Sequence, residues 1–203
     1  MLDSGALRAC DIGTVAAAGA LLEAGAAILQ LRHKDNYTRA VFAEAETVAG
    51  MCRDAGALLV VNDRADIARL LSAGLHLGQD DLTPQLARTI CGADALIGFS
   101  THNEEQLRAA EQAPVDYLAL GPIFGTASKR NPDPVVGVEE LRRLRPLTQL
   151  PLAGIGGITM DNAGAVFEAG ADAVAVIGDL LNGVRNAAQL RARTEEWLRL
   201  TNR

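Results

Sequence analysis

One phrase recurs along this chain and limits what it can fold into. EAGA at 23–26, DAGA at 54–57, SAGL at 72–75 and EAGA at 168–171 each close a helix-like run and open a short apolar one. A glycine just past a helix end suits the left-handed backbone position there, where a Cβ is costly. The runs that follow are AILQLR, ALLVVN, LHL and DAVAVI. They are largely continuous rather than alternating, as strands buried on both faces require. ALIGFS at 95–100, DYLALG at 116–121 and PLAGIG at 151–156 bring the candidate strands to seven. Helical patterns fall between them, at about 14–24, 38–54, 64–72, 84–91, 103–112, 138–145, 160–168 and 186–200. Thr14, Thr38, Thr83 ahead of Pro84, and Thr159 stand where N-caps belong.

Strand and helix alternate at roughly 25 residues per unit, the signature of a parallel α/β protein. Eight helical patterns in 203 residues predict a compact (β/α)8 TIM barrel, with residues 1–203 forming a single domain. A doubly wound open sheet is the second choice; it usually has a phosphate loop after its first strand, and none is present. The N-terminus breaks the pattern. Only MLD precedes the helix at 14–24, so the first strand is short or missing.

Composition narrows the function. The net charge of −6 argues against a nucleic-acid binder, which usually carries a basic face. It leaves room for an anionic small ligand, which only local cations decide. Cys10, Cys52 and Cys91 have neither zinc-site nor disulfide spacing and read as buried free thiols of a reducing cytoplasm. MLDSGALRAC lacks the basic-then-apolar order of a secretory leader, and no apolar run reaches about 18 residues. A cytoplasmic location is expected.

In a barrel of this kind chemistry sits just past the C-terminal ends of the strands. Those positions are strongly polar here. QLRHK places Gln30, Arg32 and Lys34 on one face of an extended segment, where an amide and two cations suit a phosphate or diphosphate. VVND ends in Asn62 and Asp63, and GQDD holds Asp80 and Asp81. Adjacent strand ends bring Asp63 close to one of that pair, and two carboxylates suit Mg²⁺, which also takes water and substrate phosphate. Ser100 ends IGFS and can reach inward, while Thr101 or Asn103 caps the next helix. The long loop 121–137 carries Thr126, Ser128, Lys129 and Arg130, hydroxyls and cations fit for an anion-binding lid. Gly156 and Gly157 in GIGGIT and Gly178 in VIGD let backbone N–H groups approach a second phosphate. His33, His76 and His102 have no spacing that makes a nucleophile–base triad, and His76 reads as structural.

Taken together, QLRHK, VNDRADIA, GLHLGQDDL, IGFSTHN, LGPIFGTASK, AGIGGIT and AGADAVAVI resemble thiamine phosphate synthase, in family order over about residues 14–182. The resemblance implies a transferase of thiamine biosynthesis. It would join a hydroxymethylpyrimidine diphosphate to a thiazole phosphate and release pyrophosphate through a dissociative, Mg²⁺-assisted substitution. It also implies a site. Gln30, Leu31, Arg32, His33, Lys34, Asn62, Ser100 and Lys129 would bind the pyrimidine diphosphate. Thr126, Ala127, Ser128, Gly157, Ile177 and Gly178 would bind the thiazole phosphate. Asp63 and Asp81 would hold Mg²⁺, with Lys129, Arg32 and Ser100 doing the catalytic work. His33, Gly125, Ser128 and Gly178 depart from residues common in the family. The expected partners are these small molecules, with neither nucleic acid nor membrane, and homo-oligomerisation is left open. A thiazole tautomerase-like isomerase of the same fold, or a non-catalytic phosphate binder, are the rival readings.

Overall fold

The structure, a computed structural model, describes residues 1–126 and 133–201. In chain order its elements are β1 (Leu2–Asp3), α1 (Ser4–Ala9), α2 (Thr14–Glu23), β2 (Ile28–Arg32), α3 (Arg39–Asp54), β3 (Leu58–Asn62) and α4 (Ala65–Leu71). Then come β4 (Gly74–Leu77), α5 (Pro84–Cys91), β5 (Ile97–Thr101), α6 (Glu104–Glu111), β6 (Tyr117–Leu120) and α7 (Val138–Leu144). The chain ends with β7 (Leu152–Ile155), α8 (Ala163–Glu168), β8 (Ala173–Ala175), α9 (Gly178–Leu181) and α10 (Ala187–Thr201). The eight strands pair in parallel and in sequence order from β1 to β8. This is the expected (β/α)8 arrangement, and it puts every strand's C-terminal end at one mouth.

The recurring glycines act as the sequence suggests at three of four sites. Gly25, Gly56 and Gly170 have φ of 97°, 67° and 102° just past α2, α3 and α8. SAGL differs: Ser72 takes the left-handed position (φ 52°), and Gly74 opens β4. A Cβ on Gly74 would lie 3.2 Å from the Leu96 carbonyl oxygen, so close strand packing is what needs the glycine. Thr38, Thr83 and Asn103 cap α3, α5 and α6 by accepting from Val41, Leu86 and Gln106 N–H groups at 3.3, 3.4 and 2.9 Å. Thr14 and Thr159 do not cap. Gly13 precedes α2, and Thr159 instead donates its N–H to Asn162 Oδ1 at 2.8 Å, in a turn that delays α8 to Ala163.

The first strand is present but is two residues long. It pairs Leu2 with Leu31 and Asp3 with Arg32. Asp3 then caps α1, a helix the sequence did not suggest, by accepting from Ala6 N–H at 2.8 Å. Toward β8, the Met1 ammonium donates to the Val176 carbonyl at 3.0 Å. The core is aliphatic: Leu2, Leu75, Leu77, Leu118, Leu120 and Leu152 are fully buried among the strands. Each stabilises the fold by about 1.5–3 kcal/mol of transfer free energy. Ala17, Ala18, Val48, Ala49 and Ala68 let the helices lie close against the sheet. All three cysteines are free, Cys52 and Cys91 buried and Cys10 half-buried. Among the described residues no helix is long and apolar enough to cross a membrane.

Candidate active site

The ends of β2, β3 and β4 bring three charged groups together. Asp63 follows β3 in a left-handed conformation (φ 66°), which is unfavourable for a side-chain-bearing residue. Its N–H donates to the His76 carbonyl at 2.8 Å, and that bond to the neighbouring strand holds the turn. The Lys34 ammonium donates to Asp63 Oδ2. From the next strand end, Asp81 turns back so that Oδ2 accepts from Gly78 N–H at 2.7 Å, while Asp80 faces solvent. Burial pushes the Asp81 carboxyl above its usual range, and a hydrogen bond and charge from Asp63 push the same way; the Gly78 N–H, and less so Lys34, oppose them. Two carboxyl groups brought together against a single lysine suit a cation, which would relieve their mutual repulsion. The choice between Asp80 and Asp81 is therefore made by the turn: Asp81 faces Asp63.

Beside them Asn62 is buried, and its Nδ2 has no hydrogen-bond partner. A buried orphan donor costs about 1–3 kcal/mol, which a bound acceptor would offset. Arg32 pairs with Asp3, so part of its fork is committed to β1. A guanidinium has five donors, and this pairing does not use them all. His33 goes elsewhere: Nδ1 bonds Ser4 Oγ at 2.8 Å, and its ring packs edge-on against Tyr37. Leu31 is a buried core residue whose side chain faces away from polar chemistry.

A second group spans the barrel interior. His76 on β4 is buried, with Nε2 at 2.8 Å from Ser100 Oγ on β5 and Nδ1 at 2.9 Å from the Tyr117 hydroxyl on β6. Gln30 on β2 hydrogen-bonds that phenol. Burial pulls the His76 imidazole down to about 4 and raises the Tyr117 phenol, so both are neutral near pH 7. Gly98 makes room for this: a Cβ there would collide with the Tyr117 ring. Gln79 donates to the Ser100 carbonyl at 2.6 Å and holds the β4 loop to β5.

The remaining strand ends form a glycine-lined wall. Ile123 and Phe124 N–H groups donate to the carbonyls of Ile155 and Gly156 at 2.8 and 3.0 Å, laying the loop after β6 over the end of β7. Gly156 and Gly157 have φ of 95° and 63°, and a Cβ on Gly157 would strike the Gly125 carbonyl. Thr126 lies next to this contact. Ile177 and Gly178 open α9, whose place is fixed by Asp179, the acceptor of Arg193 at 2.8 Å and Trp197 at 3.1 Å. His102 ties both ends of the long loop, with Nδ1 donating to the Gly121 carbonyl at 2.5 Å and Nε2 3.5 Å from Asp133. Ala127, Ser128, Lys129 and Arg130 lie outside the described residues.

A family model described as thiamine monophosphate synthase matches residues 7–180, most of the chain. The chain belongs to the thiamine monophosphate synthase family. Relatives agree in kind. A thiamine-phosphate synthase of Koribacter versatilis is 49% identical over 169 residues, covering 83% of this chain and 80% of that one. One of Natronomonas pharaonis is 44% identical over 180 residues, covering 87% and 84%. The solved thiamine phosphate pyrophosphorylase of Pyrococcus furiosus superposes with a TM-score of 0.81 at 33% identity, over 93% of this chain and 89% of that one.

Sequence reasoning missed three residues that the structure joins to the candidate site residues by hydrogen bonds. Asp3 escaped because a strand of two residues has no pattern. His76 read as structural, and Tyr117 passed as one residue of the strand DYLALG. Their one signal was weak: Gly98 interrupts an apolar strand, which marks a close approach by something large. The donor set fits the metal that the family implies. Two carboxylates from adjacent strand ends, without a third His, Cys, Asp or Glu clustered near them among the described residues, suit Mg²⁺, which fills its shell with water and phosphate.

Proposed function

We propose that the chain condenses 4-amino-5-hydroxymethyl-2-methylpyrimidine diphosphate with a thiazole phosphate, giving thiamine phosphate and pyrophosphate. The observation that carries this reading is the Asp63–Asp81 carboxyl pair with Lys34 against it, next to the orphan donor of Asn62. A site of that charge pattern is built to take a cation together with a polyphosphate.

Mg²⁺ held by Asp63 and Asp81 would supply charge neutralisation for the diphosphate. Arg32, Lys34, Asn62 and Lys129 bind the diphosphate oxygens, so the C–O bond to the pyrimidine methylene breaks with its electron pair leaving on pyrophosphate. Gln30 and Ser100 hold the pyrimidine ring while positive charge develops on the methylene carbon. The thiazole ring nitrogen then donates its lone pair to that carbon and forms the C–N bond of the thiazolium product. Thr126, Ala127 and Ser128 position the thiazole, and the amides of Gly157, Ile177 and Gly178 receive its phosphate. No step requires a general base, in keeping with a site whose buried histidine is already hydrogen-bonded at both nitrogens.

The test is an assay with both substrates at micromolar enzyme, with and without Mg²⁺, following thiamine phosphate and pyrophosphate. Mg²⁺-dependent, equimolar formation of the two is expected. No product with Mg²⁺ present would sink the proposal.

A further inference from the structure

Lys34 and Asp63 meet at the mouth, and their neighbours in the chain are bound to one another. Asp63 is the centre of a three-residue turn. The Arg64 N–H donates across it to the Asn62 carbonyl at 2.9 Å, and φ at Asp63 is 66°. Such a bond around a positive φ makes a γ-turn of the rare, strained kind. Strained backbone persists only where its surroundings hold it. One restraint is the bond from the Asp63 N–H to the His76 carbonyl on β4, at 2.8 Å. The other side of the turn is Arg64, the residue ahead of α4, whose side chain does not cap that helix.

The Arg64 guanidinium is held in two other ways. Nε and Nη2 donate to the two carboxylate oxygens of Asp66 at 2.8 and 2.5 Å, a fork that fixes the plane of the group. The group also lies over the Tyr37 ring, 5.0 Å from its centre, as a cation–π contact. Tyr37 belongs to the loop after β2, three residues past Lys34. On that loop His33 packs edge-on against the same ring, with centroids 5.1 Å apart, and its Nδ1 meets Ser4 Oγ at 2.8 Å. A line of contacts therefore runs from Ser4 on α1 through His33, Tyr37 and Arg64 to Asp66 on α4. It ties the loop that carries Lys34 to the turn that carries Asp63.

We infer that Arg64 and Tyr37 are positioning residues that hold the turn at Asp63, so that its carboxylate meets Lys34 and Asp81 in an arrangement ready for a divalent cation. The inference rests on the metal reading above and assigns the placement of Asp63 to two side chains that need not ligate. The two parts of Tyr37 differ in use. Its ring carries Arg64, while its hydroxyl is buried without a hydrogen-bond partner among the described residues. Phenylalanine should serve as well, because no bond is lost with the oxygen. Arg64→Lys keeps a charge beside Asp66 but loses the planar fork and its stacking.

The experiment titrates Mn²⁺, a paramagnetic stand-in for Mg²⁺, alone and with inorganic pyrophosphate, and reads bound metal by water-proton relaxation. Wild type is compared with Arg64→Ala, Arg64→Lys, Tyr37→Leu and Tyr37→Phe. The Arg64 side chain is 41% exposed, so its removal leaves no hole in the core. Arg64→Ala should weaken Mn²⁺ binding about tenfold or more, the usual cost of removing a group that orients a ligand. By charge alone, deleting a cation beside the site would tighten that binding, so weakening reports geometry. Arg64→Lys and Tyr37→Leu should fall between, and Tyr37→Phe should stay within about twofold of wild type. In turnover, the Mg²⁺ needed for half-maximal rate should rise with the Mn²⁺ constant, and the thiazole phosphate KM should not move. In parallel, hydrogen exchange at the Asp63 and Arg64 amides of the metal-free protein should quicken in Arg64→Ala and not in Tyr37→Phe. Unweakened Mn²⁺ binding in Arg64→Ala, equal losses in Tyr37→Phe and Tyr37→Leu, or a thiazole phosphate KM that rises in step would overturn the inference. If wild type takes up no Mn²⁺ under either condition, the metal reading fails instead, and the exchange rates still decide whether Arg64 holds the turn.

Discussion

At the scale of single residues, two adjacent aspartates show what the linear chain does and does not reveal. GQDD states that a strand ends in acid, and nothing in its order says which carboxylate turns inward. The turn at Gly78 decides, because its N–H captures Asp81 and leaves Asp80 in solvent. Asp81→Asn keeps that turn's acceptor but removes the charge that faces Asp63. It should lower kcat/KM by on the order of 10²-fold or more, the cost of losing one charge contact in the transition state, with higher Mg²⁺ restoring only part. Asp80→Ala should stay within about twofold of wild type, as surface changes do. Steady-state kinetics over a Mg²⁺ titration checks both, and equal losses would show that Asp80 also reaches the cation. Arg32, Lys34, Asn62 and Ser100 were legible because polar residues at buried strand ends have few structural reasons to be there. Asp3 and Tyr117 were not, since their roles depend on partners 29 and 41 residues away in sequence.

Elements were legible where local chemistry defines them. The α3, α5 and α6 starts follow from side-chain caps, and three helix ends follow from glycines at positive φ. Short elements were lost for the same reason: α1 and α9 are six and four residues long, too short for a 3.6-residue period to show. α9 has little stability of its own and stands because Asp179 accepts from Arg193 and Trp197 of α10. Asp179→Ala leaves a guanidinium and an indole N–H without their acceptor. It should cost about 2–4 kcal/mol in urea unfolding, in the range for breaking a largely buried, charge-assisted contact. The same change loosens Ile177 and Gly178. The thiazole phosphate KM should therefore rise several-fold, with the pyrimidine diphosphate KM nearly unchanged. A rise in both would mean that α9 steadies the whole mouth rather than the one phosphate wall.

For the whole molecule, the alternating pattern was enough to predict a parallel barrel, because each strand–helix unit buries its apolar residues the same way. The joint at β1 was only half legible. The sequence predicts too few residues for a strand, and the structure joins them to β2 through Asp3 and Arg32 and to Val176 through the chain's amine. Asp3 therefore carries three duties: strand pairing, capping α1 and pairing with Arg32. Asp3→Asn keeps the cap and removes the charge, so Arg32 loses its partner in a half-buried setting. A loss of about 1–3 kcal/mol is expected, reduced from a fully buried pair because Arg32 retains some solvent. Asp3→Ala adds the lost cap, about 1 kcal/mol more. Urea midpoints of the two variants separate the contributions.

The barrel interior also sets how the molecule meets acid. His76 has a pKa of about 4 in the fold against 6.5 as a free side chain, chiefly because burial disfavours its charge, with Asp63 opposing. Above pH 6.5 both folded and unfolded chains hold it neutral, and its contribution is complete. As pH falls from 6.5 toward 4 the unfolded chain takes up the proton and the fold does not, so stability drops through that window. Below about 4 the folded chain is protonated too, and the loss levels off. The full difference is on the order of 3 kcal/mol, at 1.36 kcal/mol for each unit of pKa. Carboxylates titrate in the lower part of the same window, so the informative quantity is the difference between wild type and His76→Gln. Urea unfolding at pH 7.5, 5.5 and 4.5 should show wild type losing more stability than the variant at each step down. Parallel losses in the two proteins would mean that His76 is protonated inside the barrel, and its neutral contacts with Tyr117 and Ser100 could not persist in acid.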